Sequence, residues 1–308
     1  MSRIHLGINT CFAVKRWPEP EQWVQIVKDE LGLDCCQFSF DLIDPLFDEE
    51  AVQAYVDETR RVASARGLQI HSTFTGLAAY SWSLLLHPDA RSRLAALRWY
   101  KRAIDVSARL GAWGTGGHIG AFSARDFANT ARKSALLTEL QEHLSTIAHY
   151  ASQRGLRFLL FENMAVEREW GHTLDEAQWF AQLDTAVPLV LCFDIGHVLR
   201  ANNLSAGHQN WFAASWRQTP IIHLQQSDLL SDHHWPFTEE YNKQGVIKAS
   251  DILQATAHWQ EREDLYLFLE PIHPFEAADR LVLNELRESV TYWRRALTDQ
   301  HPGKSLNL

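Results

Sequence analysis

Short apolar runs alternate with amphipathic stretches along the whole chain, and this rhythm limits the fold more than any other feature. The strand-like runs fall at about 4–9, 34–40, 68–74, 112–118, 157–162, 188–194, 220–225 and 265–270. Between the second and third, residues 50–66 read as a helix with Val52, Tyr55, Val56, Val62 and Ala63 on one face. Gly32, Gly67, Gly111 and Gly155 each stand between a helical stretch and the next run, where a residue tolerant of positive φ ends a helix. No linker, repeat or low-complexity segment interrupts the pattern. Eight such βα units in 308 residues predict an α/β protein with one domain, a single (β/α)8 TIM barrel over residues 1–300, and a flexible tail at 301–308.

Four of the runs end on a charged or imidazole side chain. Glu162 closes Leu156 to Phe161, Asp194 closes Val187 to Phe193, His223 follows Pro220-Ile221-Ile222, and Glu270 closes Leu265 to Leu269. His197 lies three residues past Asp194. Burying a lone charge is costly, and in this fold the C-terminal strand ends carry the active site. Two glutamates, one aspartate and one histidine form a hard, oxygen-rich set. Such a set suits one divalent cation: Mn²⁺ first, with Mg²⁺, Co²⁺ or Zn²⁺ as alternatives.

The bulk numbers exclude several classes. Apolar content is 46% and charged content 22%, ordinary for a globular protein. No apolar run is long enough for a membrane span. The strand pattern begins at once after Met1, which leaves no expected room for a signal peptide. Cys11, Cys35, Cys36 and Cys192 form no CxxC pair and read as reduced thiols of a cytoplasmic protein. Adjacent Cys35 and Cys36 should face opposite sides of a strand. A formal charge of −9 opposes non-specific nucleic-acid binding. The expected partner is a small molecule. A homo-oligomer is left open.

The longer loops follow strands, at 76–88 and 225–249. Loops of that length in a compact domain usually carry function. The second contains Asp232, His233, His234, Trp235 and Phe237.

The segments Phe161-Glu162-Asn163, Phe193-Asp194-Ile195-Gly196-His197, Ile222-His223-Leu224-Gln225-Gln226-Ser227-Asp228 and Leu269-Glu270-Pro271 resemble the xylose isomerase-like TIM-barrel superfamily. That superfamily includes sugar isomerases, ketose 3-epimerases, inosose dehydratases and zinc-dependent apurinic/apyrimidinic endonucleases. The resemblance implies that Glu162, Asp194, His223 and Glu270 hold one metal. Glu162 and Glu270 would exchange a proton on opposite faces of an enediolate, and His197 would bind a substrate oxygen. His71, His118, Asp232, His234 and Trp235 are candidate substrate-binding residues, Trp235 as a loop ring able to stack on a sugar or its carbon chain. The segment from His234 to Asn242 resembles the tetrulose-phosphate 3-epimerases, which implies a D-erythrulose 1-phosphate type substrate. Lys15, Arg16, Arg168 and Lys243 are the loop cations available for a phosphate.

The expected activity is therefore a metal-dependent isomerase or epimerase of a small keto-sugar or its phosphate. Two other classes stay open. In an endonuclease, His71, His118, Asp232 and His234 would be further zinc ligands. In a dehydratase or lyase, the same base would start elimination from a cyclic polyol.

Overall fold

Side-chain alternation along each strand sets the architecture. The computed structural model describes residues 3–201, 207–215, 219–256, 264–300 and 306–307. Its strands are β1 (Arg3–Asn9), β2 (Cys35–Ser39), β3 (Gln69–Phe74), β4 (Gly114–Gly117), β5 (Phe158–Glu162), β6 (Leu189–Asp194), β7 (Ile221–Leu224), β8 (Asp264–Leu269) and a short β9 (Leu306–Asn307). Each of β1 to β7 pairs in parallel with the next, and β8 pairs with β1, so the sheet closes on itself. The predicted (β/α)8 barrel is what forms.

Alternate residues sort into two apolar layers. Leu159, Phe161, Leu191, Phe193, Ile222, Leu224, Leu265, Leu267 and Leu269 join the large cluster between sheet and helices. Leu160, Cys192, Ile221, Tyr266 and Phe268 join a separate small cluster with Phe158 and Val190. That second group fills the barrel interior. Cys35 belongs to the inner cluster and Cys36 to the outer, as a period of two requires. All four cysteines are free thiols. The inner wall must also make room for its rings. A Cβ on Gly7 would lie 2.7 Å from the Phe268 ring, and one on Gly114 would lie 2.1 Å from Phe158.

The crossovers after β1 to β8 carry the helices Pro20–Gln25, Glu49–Ala65, Ala90–Leu110, Thr130–Gln153, Leu174–Ala181, Gly207–Ser215, Ala249–Thr256 and Asp279–Gln300. Local chemistry starts and stops them. Asp48 accepts from the Ala51 amide to cap Glu49–Ala65, whose face Val52, Val56, Val62 and Ala63 is buried. Thr173 and Glu176 form a reciprocal capping box for Leu174–Ala181. Gly32, Gly67, Gly111 and Gly155 all take positive φ, as their positions before strands predict. Among the described residues, no helix is long and apolar enough to cross a membrane.

β1 has two partners along one edge. Its upper residues Ile8 and Asn9 pair with Cys36 and Gln37, while Ile4 and His5 lower down pair with Leu306 and Asn307 of β9. Part of the segment expected as a flexible tail is thus a strand. Residues 301–305 and 308 lie outside the described residues.

Candidate metal centre and active site

The inward positions of β5 to β8 run Phe158, Leu160, Glu162; Val190, Cys192, Asp194; Ile221, His223; and Tyr266, Phe268, Glu270. The uppermost members are polar, and they converge. Glu162, Asp194, His223 and Glu270 each offer a ligand atom, and these atoms all lie within 4.8 Å of one another. None of the four residues is more than 4% exposed. His223 Nδ1 lies 2.8 Å from Glu270 Oε2 and 3.2 Å from Glu162 Oε1.

The donor set fits a cation on a direct test. Asp194 Oδ1 accepts from the amides of Gly196 (2.7 Å) and His197 (2.9 Å) and from Gln225 Nε2 (2.9 Å). Its other oxygen, Oδ2, is buried with no hydrogen-bond partner. A buried bare carboxylate oxygen beside two more carboxylates is costly without positive charge. Burial pushes Glu162 above its usual range, against the hydrogen bond from His223. His223 is raised well above the ordinary imidazole value: burial opposes the charge, but Cys192, Glu270 and Glu162 outweigh it. A proton on Nδ1 there stands where a metal ion would replace it.

A second group adjoins the first. His197 Nε2 lies 3.1 Å and His234 Nε2 3.3 Å from the same oxygen, Asp232 Oδ2. The far nitrogens are fixed by backbone carbonyls: His197 Nδ1 by Asn163 at 2.8 Å and His234 Nδ1 by Glu270 at 3.1 Å. Asp194, His197 and His234 also bring ligand atoms within 4.8 Å of one another. Burial alone would lower the His234 pKa, but Asp232 lifts it to about 9. The two imidazoles hold Asp232 well below the usual carboxylate range, against its burial.

Both groups open into a cavity of about 250 Å³ at the C-terminal mouth of the barrel. Glu162, Glu270, His197, Asp232 and His234 line one side, and His118, Tyr80, Phe74 and Leu77 another. Loop backbones tie this mouth together through the antiparallel bridges Leu84–Gly120, Ala121–Glu169 and Gln226–Trp235.

Several expected contacts lie elsewhere. His71 does not line the cavity. The β2–β3 register shifts between Cys36 and Gln37, so Cys36 faces Ile70 while Gln37 faces Ser72. His71 is the extra residue of this bulge. It sits in the inner layer against Tyr266, with ring centroids 3.8 Å apart, where burial lowers its pKa to about 3. Trp235 is also away from the cavity, stacked between His233 and Tyr241. His118 does reach the cavity, but its Nε2 faces the Trp82 carbonyl at 3.1 Å. Neither His71 nor His118 belongs to a metal-competent group among the described residues. None of Lys15, Arg16, Arg168 and Lys243 lines the cavity. Arg16 is bound to Ala277, Pro274 and Asp279, Lys15 lies over Phe275, and Lys243 pairs with Glu239.

Other site residues escaped the sequence reading. Asn9, Gln37 and Gln225 are fully buried amides that bind the ligand carboxylates and imidazole. Tyr80 donates to Glu169 at 3.3 Å, and burial raises Glu169 to about 7. A polar amide inside a strand-like run was the available signal for Gln37. Nothing local marked Glu169.

A barrel with three carboxylates and a histidine gathered at its C-terminal mouth has the donor set of a divalent-cation site. The chain belongs to the xylose isomerase-like TIM barrel family, whose pattern matches residues 25–255. It is 27% identical over 294 residues to a D-erythrulose 1-phosphate 3-epimerase of Brucella abortus (strain 2308), covering 94% of each chain. A Rhodospirillum rubrum crystal structure, provisionally named a xylose isomerase, superposes with a TM-score of 0.89 at 31% identity, covering 95% of this chain and 99% of that one. The D-psicose 3-epimerase of Clostridium cellulolyticum H10, solved with D-tagatose, has the same fold, with a TM-score of 0.70 at 16% identity and coverage of 95% and 99%. The relatives are sugar epimerases and isomerases, and this chain is an enzyme of that kind.

Proposed function

We propose that the chain is a 3-epimerase of a short ketose or ketose phosphate, with one divalent ion, Mn²⁺ first among the candidates. The observation that carries this reading is the pair Glu162 and Glu270. These buried carboxylates come from β5 and the end of β8, with two strands between them, yet share one small site. A cation held by Glu162, Asp194, His223 and Glu270 would polarise a substrate carbonyl and favour an enediolate. One glutamate takes the proton α to the carbonyl, and the other returns a proton to the opposite face, inverting the carbon. His197, with Asp232 and His234 beside it, is placed to hold substrate oxygens. Phe74, Leu77 and Ile272 line the same cavity and keep water from the carbon chain.

The Brucella relative's name supports a tetrulose phosphate such as D-erythrulose 1-phosphate as the first substrate to test. The free cysteines fit a cytoplasmic location. Incubation of the metal-loaded protein with tetrulose phosphates and free ketoses in D₂O should place deuterium beside the carbonyl. The Asp194, His197 and His234 group favours one other reading, a multi-metal phosphodiesterase. Cleavage of abasic DNA without ketose exchange would install that reading instead.

A further inference from the structure

Which nitrogen of His223 faces the metal is decided by a chain of side-chain amides that begins at a backbone N–H. The Cys11 amide can only donate, and it donates to Asn9 Oδ1 at 2.9 Å. That fixes the Asn9 side chain, so its Nδ2 points the other way. Asn9 Nδ2 donates to Gln37 Oε1 at 2.9 Å and to Glu270 Oε1 at 2.9 Å. The Gln37 atom facing Asn9 must therefore be oxygen, and its Nε2 turns to Ser72 Oγ at 3.2 Å. The same Gln37 oxygen lies 2.6 Å from His223 Nε2. An amide oxygen only accepts, so His223 Nε2 must carry a hydrogen.

We infer that Asn9 and Gln37 are positioning residues. They reserve Nδ1 of His223 and Oε2 of Glu270 for the cation. Asn9, Gln37 and His223 are each 0% exposed. Water therefore cannot substitute for a missing partner, and the orientation is set by the protein alone. The Nδ1 left over is the atom that lies 2.8 Å from Glu270 Oε2 and 3.2 Å from Glu162 Oε1. One uncharged relay thus orients ligands from two strands, β7 and β8, using residues of β1 and β2 on the other side of the barrel seam. Outer-shell groups of this kind fix the tautomer of a ligating imidazole and sharpen its geometry. The inference rests on the cluster holding a metal, but not on which sugar is turned over.

The test needs no turnover. Protein with ¹⁵N-labelled histidine is loaded with Zn²⁺, and the His223 ring signals are assigned by comparison with His223→Gln. The expected spectrum has the proton on Nε2 and none on Nδ1. A proton on Nδ1 in the loaded protein overturns the relay. If the wild type takes up no Zn²⁺ at all, the metal reading of the cluster fails instead. Titration with Mn²⁺ then compares variants. Gln37→Met, which keeps the volume but removes the accepting amide oxygen, should weaken Mn²⁺ binding about 10–100-fold. Gln37→Glu, which keeps an accepting oxygen, should restore it to within a few-fold. Wild-type affinity in a folded Gln37→Met protein, or equal losses in both variants, would also reject the inference.

Discussion

The ring of Phe74 stands edge-on to that of His223, with centroids 4.7 Å apart and planes at 64°. Phe74 is the last residue of β3, belongs to the inner apolar cluster and lines the cavity. Phe74→Ala should destabilise the protein by about 3–5 kcal/mol, read as a shift in urea midpoint with an unchanged slope. Metal affinity should fall in the same variant, and Phe74→Leu should lose less of both.

Glu162→Gln and Glu270→Gln should each lower turnover by about 10²–10⁴-fold. An amide still presents an oxygen to a cation but does not take up a proton. At least one of the two proteins should still bind substrate, measured by calorimetry. Near-normal rates in both would remove the glutamates from proton transfer.

Metal removal should be felt as lost stability. Without a cation, Asp194 Oδ2 has no partner and three carboxylates share a buried site. Mn²⁺ at about 100 times its dissociation constant should add ~2.7 kcal/mol to unfolding, seen as a rise in Tm that a chelator reverses. Asp194→Asn should abolish most of that rise. Metal analysis should give about one ion per chain, whereas occupancy of the Asp194, His197 and His234 group as well would give a higher count.

Glu169 gives a pH signature outside the metal cluster. Burial raises its folded pKa from 4.5 to about 7, so between those values the folded state holds a proton that the unfolded state has released. Stability must therefore fall as pH rises from about 4.5 to 7, by an amount on the order of 3 kcal/mol. In Glu169→Gln that fall should vanish. Urea melts of both proteins at pH 5 and pH 8 measure the difference, and parallel behaviour would show that Glu169 is not the titrating group.

The strands and the four clustered residues at their ends were legible because both depend on short-range pattern. A run of alternating or continuous apolar residues ending on Glu, Asp or His needs no tertiary information, and Glu162, Asp194, His223 and Glu270 came from that alone. His71 was misplaced because a one-residue register shift against β2 is a property of the pair of strands, invisible in either. Trp235 was misplaced because stacking between His233 and Tyr241 competes with any cavity-facing position. Asn9 and Gln37 were passed over because a neutral amide in a strand draws no attention until its neighbours are known. The partners of Arg16 and Lys243, Asp279 and Glu239, were likewise visible only in the fold.

The rings of Phe268 and Phe158 occupy space that Gly7 and Gly114 leave free. The floor beneath the metal is therefore assembled as two lock-and-key pairs, β8 with β1 and β5 with β4. A methyl group added at either glycine cannot be absorbed locally. It meets an aromatic ring and a backbone carbonyl at once, so the neighbouring strand itself would have to move. A smaller residue in place of either ring would not be enough, because a Cβ at Gly7 would still lie 2.6 Å from the Cys35 carbonyl oxygen and one at Gly114 2.7 Å from that of Phe158. Anyone wishing to reshape the cavity would therefore leave these two glycines alone and work from the rim, where the lining side chains come from loops.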